Sequence, residues 1–444
     1  MFLIHKASQF AMRCHFIAAL ILGYSTLGYA ESSDLTITID QGMASALPIA
    51  VVPFASVGGR GLPHDVSAIV RSNLARSGQF APMPVADLPS RPQSFSAINF
   101  KDWRLTGMEY LLIGKIVPAA EGGYVVEFRL VDVFKSEQLV GYRIPTTLQN
   151  LRLTAHHISD LIYEALLNEK GAFSTRIAYV TVDRLGNGKK RYRLQVADAD
   201  GYDPHTVRES SQPLLSPAWS PDGKKIAYVS FEDKNSAIFV QEIRTGKREK
   251  VVYGPGINSA PAFSPDGRRL ALTASREGNP EIYLYSFATK NLSRLTNNDA
   301  IDTEAVWDPS GNAVIFTSDR GGGPQLYRQS LDGAPARRLT FNMGNYNARP
   351  RISPDGEKIA LVNGGDSGYR IGVLHLTSGN FEILTSARLD ESPSFAPNGS
   401  MIIYTSMGSQ GTELAAVSTD GRLKQRLAVQ NGEVREPAWG PFLN

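Results

Sequence analysis

One turn between two apolar runs recurs six times along this chain, at intervals of 43 to 45 residues. Pro217-Ala218-Trp219-Ser220-Pro221-Asp222-Gly223 is the first copy and leads into Ile226-Ala227-Tyr228-Val229. Pro261-Ala262-Phe263-Ser264-Pro265-Asp266-Gly267 is the second. Trp307-Asp308-Pro309-Ser310-Gly311, Ile352-Ser353-Pro354-Asp355-Gly356, Phe395-Ala396-Pro397-Asn398-Gly399 and Trp439-Gly440-Pro441 complete the series. In such a turn Pro presets φ near about −65° at the second position, Asp suits the third, and Gly follows. A period near 44 residues with strand-like content is the pattern of a β-propeller.

Each repeat has room for four strands. After the turn comes a continuously apolar run such as Ile226–Val229 or Val314–Phe316, which must be covered on both faces. A third run follows (Ile238-Phe239-Val240, Ile282-Tyr283-Leu284, Leu326-Tyr327, Ile371-Gly372-Val373, Leu414–Val417), and Val251, Leu295, Leu339, Leu384 and Leu427 mark a fourth. Four strands per repeat make a blade. The last copy has almost no chain after it, whereas Ile177-Ala178-Tyr179-Val180-Thr181 upstream lacks a turn before it. Pro437-Ala438-Trp439 is therefore expected to complete the blade begun at residue 177, closing six blades into a ring without free edges.

The remaining chain divides further. Lys6 and Arg13, the apolar run from Phe16 to Leu22, and Gly28-Tyr29-Ala30 read as a secretory signal cleaved after residue 30. The sole Cys, Cys14, lies before the apolar core, so no lipoprotein site is formed and the mature chain has no thiol or disulfide. The formal charge falls from +3 to +1 on cleavage, because Lys6 and Arg13 leave and no acid does, which gives no electrostatic case for nucleic acid. A signal without Cys suits a bacterial periplasm and a large core in place of disulfides. Residues 31–42 read as a short terminal strand, with Leu35, Ile37 and Ile39 alternating with Thr36, Thr38 and Asp40. Residues 43–168 read as a small α/β domain. Its strands lie at Leu47–Phe54, Tyr110–Val117 and Tyr124–Val133, with helical spacing at Val66, Ile69, Val70 and Leu74 and a helix over Leu151–Leu167. Residues 169–444 then form the propeller.

Little here resembles catalysis. No G-x-S-x-G elbow exists, and Gly365-Asp366-Ser367-Gly368-Tyr369 lacks the second glycine at the required offset. Gly186-Asn187-Gly188-Lys189-Lys190 has neither the spacing nor the Ser/Thr of a phosphate loop and suits a hairpin turn. His156 and His157 are adjacent on a helix, so they diverge and do not chelate as an i, i+4 pair.

The informative surface is the set of segments just before each inner strand. They read Leu214-Leu215-Ser216, Asn258-Ser259-Ala260, Asp302-Thr303-Glu304, Asn347-Ala348-Arg349, Asp390-Glu391-Ser392 and Val434-Arg435-Glu436. If all converge on one mouth of the channel, five acids and two arginines leave an excess of three negative charges there. Such polar residues also cap turns, but as a set they suit a protein or peptide partner. A Ca²⁺ ion in the mouth is a further reading, with no other cofactor expected.

These features together resemble the TolB family, periplasmic propellers of the Tol-Pal envelope system. The resemblance rests on Leu35-Thr36-Ile37-Thr38-Ile39-Asp40-Gln41-Gly42, the Pro48–Phe54 strand, the junction Gly171-Ala172-Phe173-Ser174-Thr175-Arg176-Ile177, the motif Ser216–Gly223, Leu389-Asp390-Glu391-Ser392-Pro393-Ser394, and the closing Glu436-Pro437-Ala438-Trp439. It implies a monomeric, non-enzymatic adaptor that supports outer-membrane integrity and invagination during cell division. The lipoprotein Pal would dock at the propeller mouth, where the resemblance carries over Ala260, Thr303 and Glu304 by position; the mouth segments add Asn258, Asp302, Arg349, Asp390 and Glu391 to the expected contacts. TolA would contact the mature N-terminus through Glu31, Ser32, Ser33, Asp34, Leu35, Ile37 and Ile39. Ile257 stands where some members have a His, so that contact does not carry over. The alternatives are a periplasmic propeller hydrolase or lyase, or a small-ligand or metal receptor, using the channel mouth.

Overall fold

The computed structural model describes residues 46–443 apart from 59–60, 121, 187, 366–367, 409–410 and 428–431. The leader and the terminal segment expected to meet TolA lie outside the described residues.

The N-terminal domain is a mixed sheet between two helical layers. Its strands are β1 (Leu47–Val51), β2 (Ala55–Ser56), β3 (Phe80–Pro82), β4 (Tyr110–Pro118), β5 (Tyr124–Asp132) and β6 (Glu137–Thr146), in the order β3-β1-β4-β5-β6 with β2 beside β4. Helices α1 (Val66–Arg76) and α3 (Leu151–Leu167) bury Val70, Leu74, Ile158 and Ile162 against Ile49, Leu112 and Phe128 on one face. The short helix α2 (Phe100–Leu105) and its flanking loops cover the other, where Trp103 packs on Ala50, Leu111 and Ile113. Asp65 caps α1 by accepting from Ala68 N at 3.0 Å, and Asn168 ends α3 in the left-handed region at φ 57°. Strand β6 was not marked by the sequence. It is an edge strand whose residues are largely exposed, so the chain carries no apolar period there.

Six four-stranded antiparallel sheets follow. Blade 1 joins Glu433–Trp439 to Arg176–Arg184, Lys190–Asp198 and His205–Ser210, with Trp439 opposite Ile177. The ring is closed by its own ends, as the truncated last repeat requires. Blades 2 to 6 begin at Leu214, Asn258, Asp302, Tyr346 and Asp390. The continuous apolar runs are second strands buried on both faces: Ile226, Ala227 and Tyr228 are fully inaccessible.

The recurrent turn has two jobs. Within a blade, Ser220 Oγ donates to Asp222 Oδ1 at 2.6 Å while Gly223 takes φ 67°, and the same pattern recurs at Ser264, Asp266 and Gly267. Between blades, each turn glycine faces the proline of the preceding turn. A Cβ on Gly267 would sit 3.7 Å from Pro221, one on Gly356 3.5 Å from Pro309, and one on Gly223 3.4 Å from Pro441. Trp219 and Trp307 add hydrogen bonds of 3.0 Å from Nε1 to the carbonyls of Ala438 and Ala262 in the preceding blade.

The N-terminal domain docks on the face that carries these turns. Arg76 Nη1 donates to Ala199 O at 3.2 Å and Gln425 Nε2 donates to Arg76 O, while Asn398 Nδ2 donates at 3.0 Å to Lys170 O in the segment that follows α3. In an antiparallel blade the turns after strands one and three share one end, so the opposite end is left uncovered by this domain.

Candidate functional site: the open channel mouth

A repeated backbone irregularity builds the mouth. In every blade the pairing of first and second strands slips within the inner strand, as between Ser259 and Ala262, or Thr303 and Val306. Each slip places one non-glycine residue in the left-handed region: Ser216, Ala260, Glu304, Arg349, Ser392 and Glu436, with φ between 48° and 57°. Such a conformation costs an L-residue about 1–2 kcal/mol, yet it is kept in all six blades. The bulge turns these six side chains into the channel, where they form one ring. Each lies five residues before its turn proline, so the ring repeats with the period of the turns.

The ring is charged on one side and partly self-paired. Arg349 Nε lies 3.0 Å from Glu304 Oε1 in the preceding blade. Its Nη1 donates to Ser392 Oγ at 2.5 Å and sits 3.8 Å from Glu391 Oε2 in the following blade. Burial alone would push the Arg349 guanidinium down, but Glu304, Glu436 and Glu391 outweigh it and hold it above its ordinary value. Glu436 accepts from Ser216 N across the closing blade, and Thr273 Oγ1 accepts from Glu304 N at 3.1 Å.

Strand alternation corrects part of the expected site. The first residue of each three-residue segment faces the blade interior: Asn258, Asp302 and Asp390 are fully inaccessible. Asp302 is bound by Arg320 Nη2 at 2.6 Å and Asn298 Nδ2 at 2.8 Å, Asp390 accepts from Ser406 Oγ at 2.6 Å, and Asn258 donates to Ser236 O at 3.0 Å. These three side chains are buried supports of the inner strands rather than part of the exposed mouth surface. The excess of three negative charges therefore shrinks to one, carried by Glu304, Glu391 and Glu436 against Arg349 and Arg435. Of the other expected contacts, Ala260, Glu304 and Arg349 are in the ring. Thr303 and Glu391 are half-buried beside it, Thr303 Oγ1 lying 3.2 Å from Thr273 Oγ1.

Exposed apolar residues form a partial collar at the uncovered end, along blades 3 to 6, and the sequence reading missed most of them. Tyr253, Ile257, Ile301 and Phe341 stand exposed on the segments that enter blades 3, 4 and 5, Tyr369 at the start of the third strand of blade 5, and Met407 near the end of the second strand of blade 6. All lie at the uncovered end. Isolated apolar residues before a strand look like strand beginnings in sequence, and only the ring closure gathers them. Exposed apolar groups gathered beside a polar centre mark a protein-binding surface.

The mouth holds no converging set of metal ligands among the described residues, since Arg349 takes up Glu304 and Glu391. The one group with ligand geometry among the described residues is His156, Asp198 and Asp200 at the domain junction. A guanidinium occupies it: Arg152 lies 2.6 Å from Asp200 and 3.5 Å from Asp198, and its Cζ sits 3.6 Å from the Tyr202 ring centroid. Asn73 Nδ2 lies 2.9 Å from His156 Nδ1, and His156 Nε2 faces the carboxylates, 3.6 Å from Asp198 and 3.8 Å from Asp200. This cluster clamps α1 and α3 to blade 1. No helix among the described residues is long and apolar enough to cross a membrane.

Comparison with known proteins agrees along nearly the whole chain. Residues 35–139 match the TolB amino-terminal domain, and residues 163–443 the TolB beta propeller domain. The Tol-Pal system protein TolB of Nitrosococcus oceani is 59% identical over 407 residues, covering 92% of this chain and 93% of that one. That of Thioalkalivibrio sulfidiphilus is 55% identical over 430 residues, covering 96% and 98%. The crystal structure of TolB from Acinetobacter baumannii superposes with a TM-score of 0.85 at 43% identity, covering 92% of this chain and all of that one.

Proposed function

The chain belongs to the TolB family, and from that premise we propose that it is a non-enzymatic periplasmic adaptor of the Tol-Pal system. In this reading the propeller mouth receives the lipoprotein Pal. The mature N-terminus, from Glu31 to Asp40, engages TolA, and the two contacts together support outer-membrane integrity and invagination during division. The observation that carries the proposal is the mouth itself: a bulged polar ring beside a partial, exposed apolar collar, at the end that the N-terminal domain leaves uncovered. Exposed apolar side chains that a partner buries supply binding energy, and the polar groups of the channel beside them fix its register.

Thr303, Glu304, Arg349 and Glu391 are the polar contacts of the proposed Pal site, and Ala260 and Ile257 supply apolar contacts beside them. Ile257→Arg places a charge in the collar without touching the blade core. It is expected to weaken Pal binding at least tenfold in a calorimetric titration while leaving the melting temperature unchanged. Equal affinity of the variant and the parent chain would remove the mouth from the interface.

Nothing in the channel favours a hydrolase or lyase: among the described residues Ser392 Oγ and Ser394 Oγ accept from Arg349 and from Trp439 N rather than pairing with a base. A Ca²⁺ site at the mouth would have to displace Arg349 from Glu304. Melting temperatures with Ca²⁺ and with EDTA should therefore coincide, and a Ca²⁺-dependent rise would reinstate the metal reading.

A further inference from the structure

A second ring lies two residues further along each inner strand. It consists of Ala218, Ala262, Val306, Arg351, Ser394 and Ala438, all lining the same channel. Five of these are small or apolar, and Arg351 is the only charged member. Its Nη1 donates to the carbonyl of its own neighbour Pro350 at 2.8 Å, and no carboxylate lies within ion-pairing distance of it among the described residues. Glu304, Glu436 and Arg349 are the charged groups that face it, and Arg349 is already bound to Glu304. A guanidinium carries five donors, so most of the hydrogen-bonding capacity of Arg351 is directed at no protein acceptor.

We propose that Arg351 makes the channel, below the mouth, a binding site for a single carboxylate. The planar fork of a guanidinium matches a carboxylate with two parallel hydrogen bonds, and enclosure strengthens them. On the adjacent blade, Ser394 Oγ accepts from Trp439 N at 2.9 Å, which leaves its hydroxyl proton free to donate into the same ring. The three alanines opposite leave room, within about 300 Å³ of open channel. Charge narrows the class. Glu304 and Glu436 stand one ring above, so a monoanion is tolerated where a doubly charged phosphate is repelled. The carboxylate arrives either as the side chain of an acidic residue in a segment threaded through the mouth or as a small free acid. The site does not depend on which protein docks above it.

The test uses the purified chain and two capped pentapeptides, Gly-Gly-Glu-Gly-Gly and Gly-Gly-Gln-Gly-Gly, with sodium acetate titrated against sodium chloride at constant ionic strength. The glutamate peptide should bind at least tenfold more tightly than its glutamine twin, with acetate competing. R351M, which keeps the bulk and loses the charge, should erase that difference, and R351K should retain part of it. Saturable acetate binding without a peptide preference would support the site and identify a free acid as its ligand. The proposal is overturned if the parent chain distinguishes neither glutamate from glutamine nor acetate from chloride, or if R351M keeps the difference. Should R351M fail to fold, the parent chain and R351K decide: equal binding of both peptides by both proteins overturns it.

Discussion

Arg349 Nε and Glu304 Oε1 lie 3.0 Å apart across the boundary between blades 4 and 5, so two of the three charges of the channel ring are paired to each other. Glu304→Ala should leave the guanidinium to Ser392 and Glu391 alone and cost about 1 kcal/mol of stability, since both side chains are partly solvent-screened. Binding of Pal should fall at least tenfold. Urea denaturation and calorimetry on one preparation separate the two effects. A large stability loss with unchanged affinity would make the pair a structural strut.

The six left-handed ring positions include one with no side chain able to reward the conformation. Ala260 sits at φ 48°, where glycine would rest without a Cβ penalty. Ala260→Gly is expected to stabilise the propeller by up to about 1 kcal/mol, the strain relieved exceeding the added chain entropy. A raised urea midpoint with unchanged slope would show this. A lowered midpoint would mean that the Ala260 methyl makes contacts worth more than the strain.

The clamp between α3 and blade 1 should be breakable at one residue. Arg152 holds Asp198 and Asp200 and stacks on Tyr202 with only 14% of its side chain exposed. Removing it leaves two carboxylates beside each other, and Arg152→Ala is expected to cost about 2–3 kcal/mol. Hydrogen exchange should quicken in α1, α3 and the Asp198–Tyr202 turn before it quickens in blades 3 to 5. Uniform quickening would place Arg152 in the general fold.

Acid should loosen the same junction. Burial alone would push the Asp200 carboxyl up, but Arg76, His156 and Arg152 outweigh it and hold it below the ordinary carboxylate range. A carboxyl depressed on folding contributes stability at pH values above its unfolded pKa of about 3.9. That contribution is lost as pH falls through the folded value. Asp200→Asn should therefore be less stable than the parent chain at pH 7, with the gap closing as the pH falls towards about 3. A gap that stays constant with pH would contradict this assignment.

The repeat made the ring legible because one turn does two tasks. Pro221 and Gly267 are required both by their own turns and by the contact between them, so their spacing survives in the sequence. The closure of Trp439 on Ile177 followed from an incomplete last repeat. The mouth was legible only in part. A strand alternates its faces, and the bulge at Ala260 or Glu304 shifts that alternation by one, which segment composition does not record. Asp302 and Asp390 were therefore read as surface acids when they are buried supports. The collar of Tyr253, Ile257, Ile301 and Phe341 was missed because it is assembled from separate blades, with no local period to betray it. The clamp at Arg152, His156 and Asp200 joins residues of two domains, and no spacing in the chain announces it.

The measurement that bears most directly on the account is a calorimetric titration of this protein with the soluble domain of its own Pal, run beside Ile257→Arg and Arg152→Ala. Saturable one-to-one binding that Ile257→Arg weakens at least tenfold, and that Arg152→Ala at the opposite face leaves intact, is the predicted result. Absence of binding, or binding that survives Ile257→Arg unchanged, would contradict it.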